Sequence, residues 1–340
     1  MTHPEAIVCA PPAPDPDEQV PIGVVLVNWN GASDTITCLR SLLTCRPAPA
    51  RVVVVDNASE NDSVERLRAW MAAQGLGGAA EDLRSRHDGA VRRQPWLSIL
   101  ESDRNRGFAG GSNLGLSVLA RDTTIDHFLL LNNDARVARD YFAQLREALR
   151  VNPRAGLLSG TIYEDGIQQS VWYAGGVARL RRALMLHRNT LPQSSAPRET
   201  QFVCGCTMLL SRQVLETIGP LPECYFPGYW EDAEYSLRAR ARGFALLYVP
   251  AAVAHHRVGS SFGEPRLRPR VAYLQNRHRA LFVRRNLRGW NRAIALSYLL
   301  VTKPARGLLE AARGRPDLGY AIVSGMIAGT LHGSGNTPQP

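Results

Sequence analysis

The chain has 340 residues, 45% of them hydrophobic, which supports either one large α/β domain with extensions or two domains. Its longest apolar runs, residues 293–301 and 320–331, are too short or too rich in glycine for a spanning helix, which needs about 20 apolar residues. The formal net charge of +10 is lopsided: from residue 265 onward there are thirteen Lys+Arg and two Asp+Glu, before it 27 and 28. A basic end of this kind fits an anionic surface better than a uniformly basic protein, and no RNA- or DNA-reading motif accompanies it. No early segment combines a basic start, an apolar centre and a small-residue cleavage site, so no secretory signal is expected. The six cysteines, Cys9, Cys38, Cys45, Cys204, Cys206 and Cys224, form no CxxC pair and read as buried thiols in a reducing, cytoplasmic compartment.

In chain order, residues 1–20 are Pro-rich and acidic and read as a disordered tail. A first strand, 22–27, ends at Asn28-Trp29-Asn30-Gly31; Ser33 or Asp34 can cap the helix that follows. The second strand, 51–55, ends at Asp56-Asn57-Ala58-Ser59 and leads to a helix near 62–73. Residues 74–95 lack periodicity and read as a surface insertion. A third strand, 97–100, precedes the glycine-rich stretch 107–115 and a helix to about residue 120. The fourth, 128–131, is continuously apolar and stops at Asn132-Asn133-Asp134. Four strands ending in polar residues, alternating with helices, predict a doubly wound, mostly parallel sheet with ligands beyond the strands' carboxyl ends.

Beyond Asp134 come a helix at 141–149, a strand near 157–161, an irregular Arg-rich section to about 200 and an apolar strand at 202–210. A helix opens with Glu231-Asp232-Ala233-Glu234 and closes at Gly243, followed by a strand, 245–249, and His255-His256. From residue 268 the chain is helical and basic.

Several of these residues carry two readings each. Asp134 at a strand end can serve a hard cation bridging phosphates, or simply cap a core strand. Asp56 can accept from a pyrimidine imide or a ribose hydroxyl, or form an Asx turn. The glycines at 107–115 lack GxGxxG spacing, which excludes a dinucleotide fingerprint but leaves a glycine-lined helix start as a site wall. Glu231, Asp232 and Glu234 can be ordinary N-terminal capping, or neighbouring carboxylates that raise one another's pKa for general-base work beside Tyr229 and Trp230. A His after a strand end can be structural or a metal ligand.

Taken together the segments resemble the family 2 glycosyltransferases with the GT-A nucleotide-diphospho-sugar transferase fold. The matching motifs are Val-Asn-Trp-Asn-Gly (27–31), Val-Asp-Asn-Ala-Ser (55–59), Asn-Arg-Gly-Phe-Ala-Gly-Gly-Ser-Asn (105–113), Leu-Asn-Asn-Asp (131–134), Trp-Glu-Asp-Ala-Glu (230–234), Leu-Arg-Ala-Arg-Ala-Arg-Gly (237–243) and His-His (255–256). They stand in the family's order over roughly residues 21–290, and look most like bacterial rhamnosyltransferases, with galactofuranosyltransferases next.

The resemblance implies an α/β GT-A fold, a doubly wound mixed sheet at 21–265, followed by a basic helical region, 266–340, with a disordered end. It implies inverting transfer of a single sugar, L-rhamnose first, from a dTDP or UDP donor to a lipid-linked or glycan acceptor in cell-envelope synthesis. Donor contacts are expected from Asn28, Asn30, Asp56, Asn57, Gly107, Gly110, Asn113, Asn133 and Asp134. Asp134 and His255 would hold Mg²⁺ or Mn²⁺, Asp232 would be the base, and Trp230, Glu231 and Glu234 would face the acceptor or support the base. Asn132 replaces the first Asp of the usual DxD, which lowers the charge available to a cation. Gln275 is followed three residues later by His278, so the Gln-x-x-Arg-Trp motif of polymer-extruding synthases is absent. The basic end is either a helical subdomain with a solvated face or a peripheral dock on anionic lipid at the inner face of the plasma membrane. A non-catalytic sugar-nucleotide-binding or scaffold protein is the rival from another class, and a base such as Asp232 speaks against it.

Overall fold

The computed structural model describes residues 20–76, 96–166, 170–257 and 268–331. The expected N-terminal tail, most of the expected insertion at 74–95 and the expected disordered end lie outside them. The first half alternates β1 (Ile22–Asn28), α1 (Ala32–Thr44), β2 (Arg51–Asp56), α2 (Ser63–Ala73), β3 (Leu97–Glu101), α3 (Gly107–Leu119) and β4 (His127–Asn132). A short β5 (Ala135–Val137), α4 (Tyr141–Val151) and β6 (Ala155–Glu164) follow. The Arg-rich section expected to be irregular instead forms β7 (Val171–Tyr173), β8 (Gly176–Arg179), β9 (Leu184–His187) and β10 (Arg198–Glu199). Then come β11 (Thr207–Ser211), α5 (Arg212–Ile218), α6 (Glu231–Ala241) and β12 (Ala245–His256). The chain closes with α7 (Arg268–Asn286), α8 (Gly289–Ala312) and α9 (Pro316–Leu331).

The main sheet runs β10-β12-β6-β11-β4-β1-β2-β3, with β5 on β12 and β7 on β6. β4, β1, β2 and β3 are parallel, β12 is parallel to β6, and β11 runs antiparallel between β4 and β6. Side-chain alternation explains why the central strands are apolar without a break. Val24, Leu26, Val52, Val54, Leu129 and Leu131 face Leu39, Leu42, Leu67 and Phe142 of α1, α2 and α4. The residues between them, Val25, Val53, Val55, Phe128 and Leu130, face Leu116, Val214 and Tyr235 of α3, α5 and α6.

The glycine-rich stretch is helix rather than loop. A Cβ on Gly115 would lie 2.4 Å from Val25 Cγ1, and one on Gly111 2.8 Å from Val27 Cγ1, so these glycines seat α3 directly on β1. Ser33 and Asp34 lie inside α1 and cap nothing; its N-cap is Gly31. Gly243 does end α6 at φ +84°. The strand expected at 202–210 begins only at Thr207, because the Val203 and Gly205 N–H groups bond to Ser236 and Asp232 of α6 instead of to a neighbouring strand.

Candidate active site

The register sets Asn28 beside Asp56 and Asp56 beside Glu101, while Val27 lies beside Asn132. Polar strand ends therefore converge on one edge, where β2 and β3 extend to one side of β1 and β4 to the other. Such switch points are where α/β sheets place ligands.

Asp56 is 2% exposed and accepts from Asn28 Nδ2 (2.7 Å), Ser59 Oγ (2.6 Å) and the Ser59 N–H (2.9 Å). Asn28 Oδ1 in turn accepts from Thr35 Oγ1 at 2.8 Å, and Asn133 Nδ2 donates to the same hydroxyl at 3.0 Å. Asn30, at φ +56°, accepts the Glu60 N–H at 2.8 Å. Asn57 accepts the Arg106 N–H (2.9 Å) and donates to the Gly107 carbonyl (3.1 Å), which fixes the entry to α3. Gly107 sits at φ +67° against the Pro227 carbonyl, and Gly110 against the Arg106 Cβ. Asn113 exchanges two bonds with the Leu221 backbone (3.0 and 2.9 Å). In this arrangement Asn57 and Asn113 hold neighbouring loops in place, and Gly110 lies within the first turn of α3.

Asp134 follows β4 in a turn. Its Oδ1 lies 3.0 Å from His256 Nε2, with both side chains 9% exposed, and Asn132 Nδ2 is 3.3 Å from the same nitrogen. The expectation for His255 needs correction. It stands on the other side of β12, exposed and stacked on Tyr163 at 5.6 Å. Adjacent strand residues point to opposite faces, so only one of the two histidines can meet Asp134. The Asp134 carboxylate suits Mg²⁺ or Mn²⁺, and His256 Nε2 is the nitrogen placed to join it. No group of three or more His, Cys, Asp or Glu side chains is placed to hold a metal ion among the described residues, so a cation here would need donor phosphate oxygens and water to complete its shell.

The α6 start forms the third part. Tyr229 and Trp230 both have left-handed backbone (φ +76° and +80°), which costs L-residues about 1–2 kcal/mol each. The turn is held from behind by α7: Trp230 packs on Phe282 (5.0 Å), and His278 Nδ1 is 2.9 Å from the Gly228 carbonyl. Asp232 Oδ2 accepts the Gly205 N–H (3.0 Å) and Oδ1 the Ala233 N–H (2.7 Å), while part of its surface stays open. Burial raises its pKa; those N–H groups and the nearby His187 act the other way. Burial, then the Asp232 charge, pushes Glu231 up to about 8, and its Oε2 has no hydrogen-bond partner. Glu234 does not reach the site. It is 3% exposed and turned toward α7, bonded to Tyr225 Oη (2.6 Å), Arg285 (3.0 Å) and Asn286 (2.8 Å).

One segment ties these parts together. The Gly205 N–H donates to Asp232, and the next residue's carbonyl accepts the Asn132 N–H at 2.9 Å, two residues before Asp134. His187, on β9, feels both Asp232 and His256, and burial lowers its pKa; the Trp172 ring lies 4.5 Å from it and 5.1 Å from His256. Sequence reasoning passed over His187, Trp172 and the Gly205 amide. No spacing marks them, because β7 and β9 reach the edge only through tertiary pairing. His256 was signalled by the His-His pair, but the register irregularity in β12 between Val249 and Val253 hides which histidine faces inward.

Comparison with known proteins agrees with the fold. The profile described as "Glycosyl transferase family 2" matches residues 23–219, and "Glycosyl transferase family group 2" matches 127–314. The low-salt glycan biosynthesis hexosyltransferase Agl10 of Haloferax volcanii is 24% identical over 224 residues, 64% of this chain and 61% of that protein. An uncharacterized protein of Mycobacterium tuberculosis is 29% identical over 154 residues, 45% of this chain and 54% of its own. The chain thus spans less than two thirds of these relatives. Among solved structures, GalNAc-T7 with UDP, GalNAc and Mn²⁺ superposes with a TM-score of 0.56 at 14% identity, covering 89% of this chain and 59% of that one. The Pyrobaculum calidifontis mannosyltransferase PcManGT with GDP-Man and Mn²⁺ gives 0.53 at 17%, covering 94% and 89%. These likenesses establish the GT-A type of fold. With the family profile matched over more than half of its length, the chain belongs to glycosyl transferase family 2.

Proposed function

We propose that this protein transfers a single hexosyl group, with inversion, from a nucleoside-diphosphate donor to an acceptor hydroxyl. The observation that carries the reading is the 205–206 segment, which sets the partly open Asp232 carboxylate beside the strand end bearing Asp134. Asp56 at the end of β2 would take the base or ribose, and the loops fixed by Asn28, Asn30, Asn57, Gly107 and Asn133 would frame the donor. Asp134 and His256 would hold a divalent cation, which supplies charge neutralisation for the departing diphosphate. Asp232 accepts the acceptor hydroxyl's proton as its oxygen bonds to the anomeric carbon and the bond to the diphosphate breaks. The raised Asp232 pKa makes it a stronger base than a solvated carboxylate. Support comes from the Haloferax relative, named a hexosyltransferase, and from the two superposed structures, which hold sugar or sugar nucleotide with Mn²⁺. L-Rhamnose from dTDP is the finer reading, resting on the Leu-Asn-Asn-Asp form of the strand end; a galactofuranosyl or other hexosyl donor is the alternative, and a lipid-linked or glycan hydroxyl the expected acceptor.

The test is release of nucleoside diphosphate from dTDP-rhamnose, UDP-galactofuranose and GDP-mannose with Mn²⁺, for wild type and Asp232→Ala. Turnover by the wild type, lost in the variant, supports transfer. Tight binding with no turnover by either would leave a sugar-nucleotide-binding module.

A further inference from the structure

Helix α8 is built inside out. Its inward side carries Ala295, Leu299 and Gly307, but also Glu310, which is 1% exposed and bridged to Arg306 (2.6 Å), Arg315 (2.5 Å) and Arg313 (3.8 Å). Its outward side is apolar. Trp290, Ile294, Val301 and Leu308 follow at steps of four, seven and seven, and so form one line along a helix of about 36 Å. They are 83%, 39%, 71% and 73% exposed. At 100° per residue all four charged side chains of α8, Arg292, Lys303, Arg306 and Glu310, fall on the opposite half. A helix packed on a domain and facing water shows the reverse pattern. On α9, packed beside α8, Tyr320, Ile327 and Leu331 also share one exposed face.

The surrounding charge selects the partner. Residues 268–331 contain twelve Lys+Arg and two Asp+Glu, and one of those acids, Glu310, is already held by three arginines. Arg288 stands exposed just before Trp290 at one end of the line, and Arg313 and Arg315, still half exposed while they bridge Glu310, follow its other end. A second copy placed on this face by two-fold symmetry would bring like-charged arginines together. Anionic lipid headgroups attract them, and an exposed Trp beside arginines is the composition of a membrane–water boundary. None of the described helices is long and apolar enough to cross a membrane, so the helix would lie in the interface plane.

We propose that α8 docks flat on an anionic lipid bilayer, with Trp290, Val301 and Leu308 in the acyl boundary and the flanking arginines at the phosphates. This inference stands on the helix surface alone, independent of sugar transfer. The test floats the full-length protein with vesicles of phosphatidylcholine containing one third phosphatidylglycerol, and with phosphatidylcholine alone. Wild type floats with the anionic vesicles and is released by salt. The double variant Val301→Glu/Leu308→Glu partitions about 100-fold less, at roughly tenfold per side chain withdrawn from lipid, while Leu191→Glu, a change at an exposed leucine elsewhere, binds as wild type. Should the double variant melt early, quenching of Trp290 by brominated lipid, read as the difference between wild type and Trp290→Phe, decides the same question. Failure of wild type to float, equal flotation of the folded double variant, or a lipid-independent dimer that the double variant abolishes would each overturn the proposal.

Discussion

Asp134 Oδ1 and His256 Nε2 meet at 3.0 Å where β5 pairs with the end of β12, while His255, one residue earlier, stacks on Tyr163 outside. With nucleoside diphosphate present, His256→Ala should therefore weaken Mn²⁺-dependent stabilisation, with metal affinity falling about 10–100-fold. His255→Ala should leave it unchanged. Thermal shift against Mn²⁺ concentration checks both, and equal effects from the two substitutions would contradict the placement.

Asp232→Asn should lower turnover by about 10²–10⁴-fold with little change in donor affinity, as loss of a positioned base does. Single-turnover rates and donor titrations separate these quantities. If Glu231→Gln instead produced the larger loss in turnover, the neighbouring carboxyl would be the base.

Glu231 makes a pH signature. Its folded pKa, raised to about 8, exceeds the usual 4.5, so between those values the folded chain holds a proton that the unfolded chain has released. The slope of stability with pH is then negative, and stability drains away as pH rises from about 4.5 to 8. Melting temperatures of Glu231→Gln should fall less over this range than those of wild type, and the variant should be the more stable at pH 8. Parallel curves would show that Glu231 titrates normally.

Glu234 joins α6 to α7 through Tyr225, Arg285 and Asn286. Glu234→Ala should cost about 2–4 kcal/mol, below the roughly 3–5 kcal/mol for breaking a fully buried pair because Arg285 keeps contact with solvent. Urea unfolding measures it. Because α7 also backs the Trp230 turn, turnover should fall along with stability.

Gly115→Val should destabilise by about 1–3 kcal/mol, since even a Cβ there would lie 2.4 Å from Val25. Gly75→Ala has open space around it and is strained only by its φ of +67°, so its smaller loss provides the comparison for pure backbone strain.

The first half of the fold was legible because its information is local. Continuous aliphatic runs mark strands buried on both faces, and each ends at the polar residue that the register brings to the shared edge, as with Asn28 and Asp56. The Glu231–Ala241 helix and its Gly243 stop were legible for the same reason. Composition also placed the whole positive excess near the C-terminus. Tertiary structure decided the rest. Which histidine meets Asp134 depends on an irregularity in β12, and His187 reaches the site only through pairing of β9 with β8. Glu234 left the expected site because Arg285 and Asn286, more than fifty residues on, satisfy it better than solvent could. Packing also buries Glu310, the acid of α8, and leaves the helix's apolar line outside: a sequence states each residue's polarity, but only packing decides which side of a helix meets water.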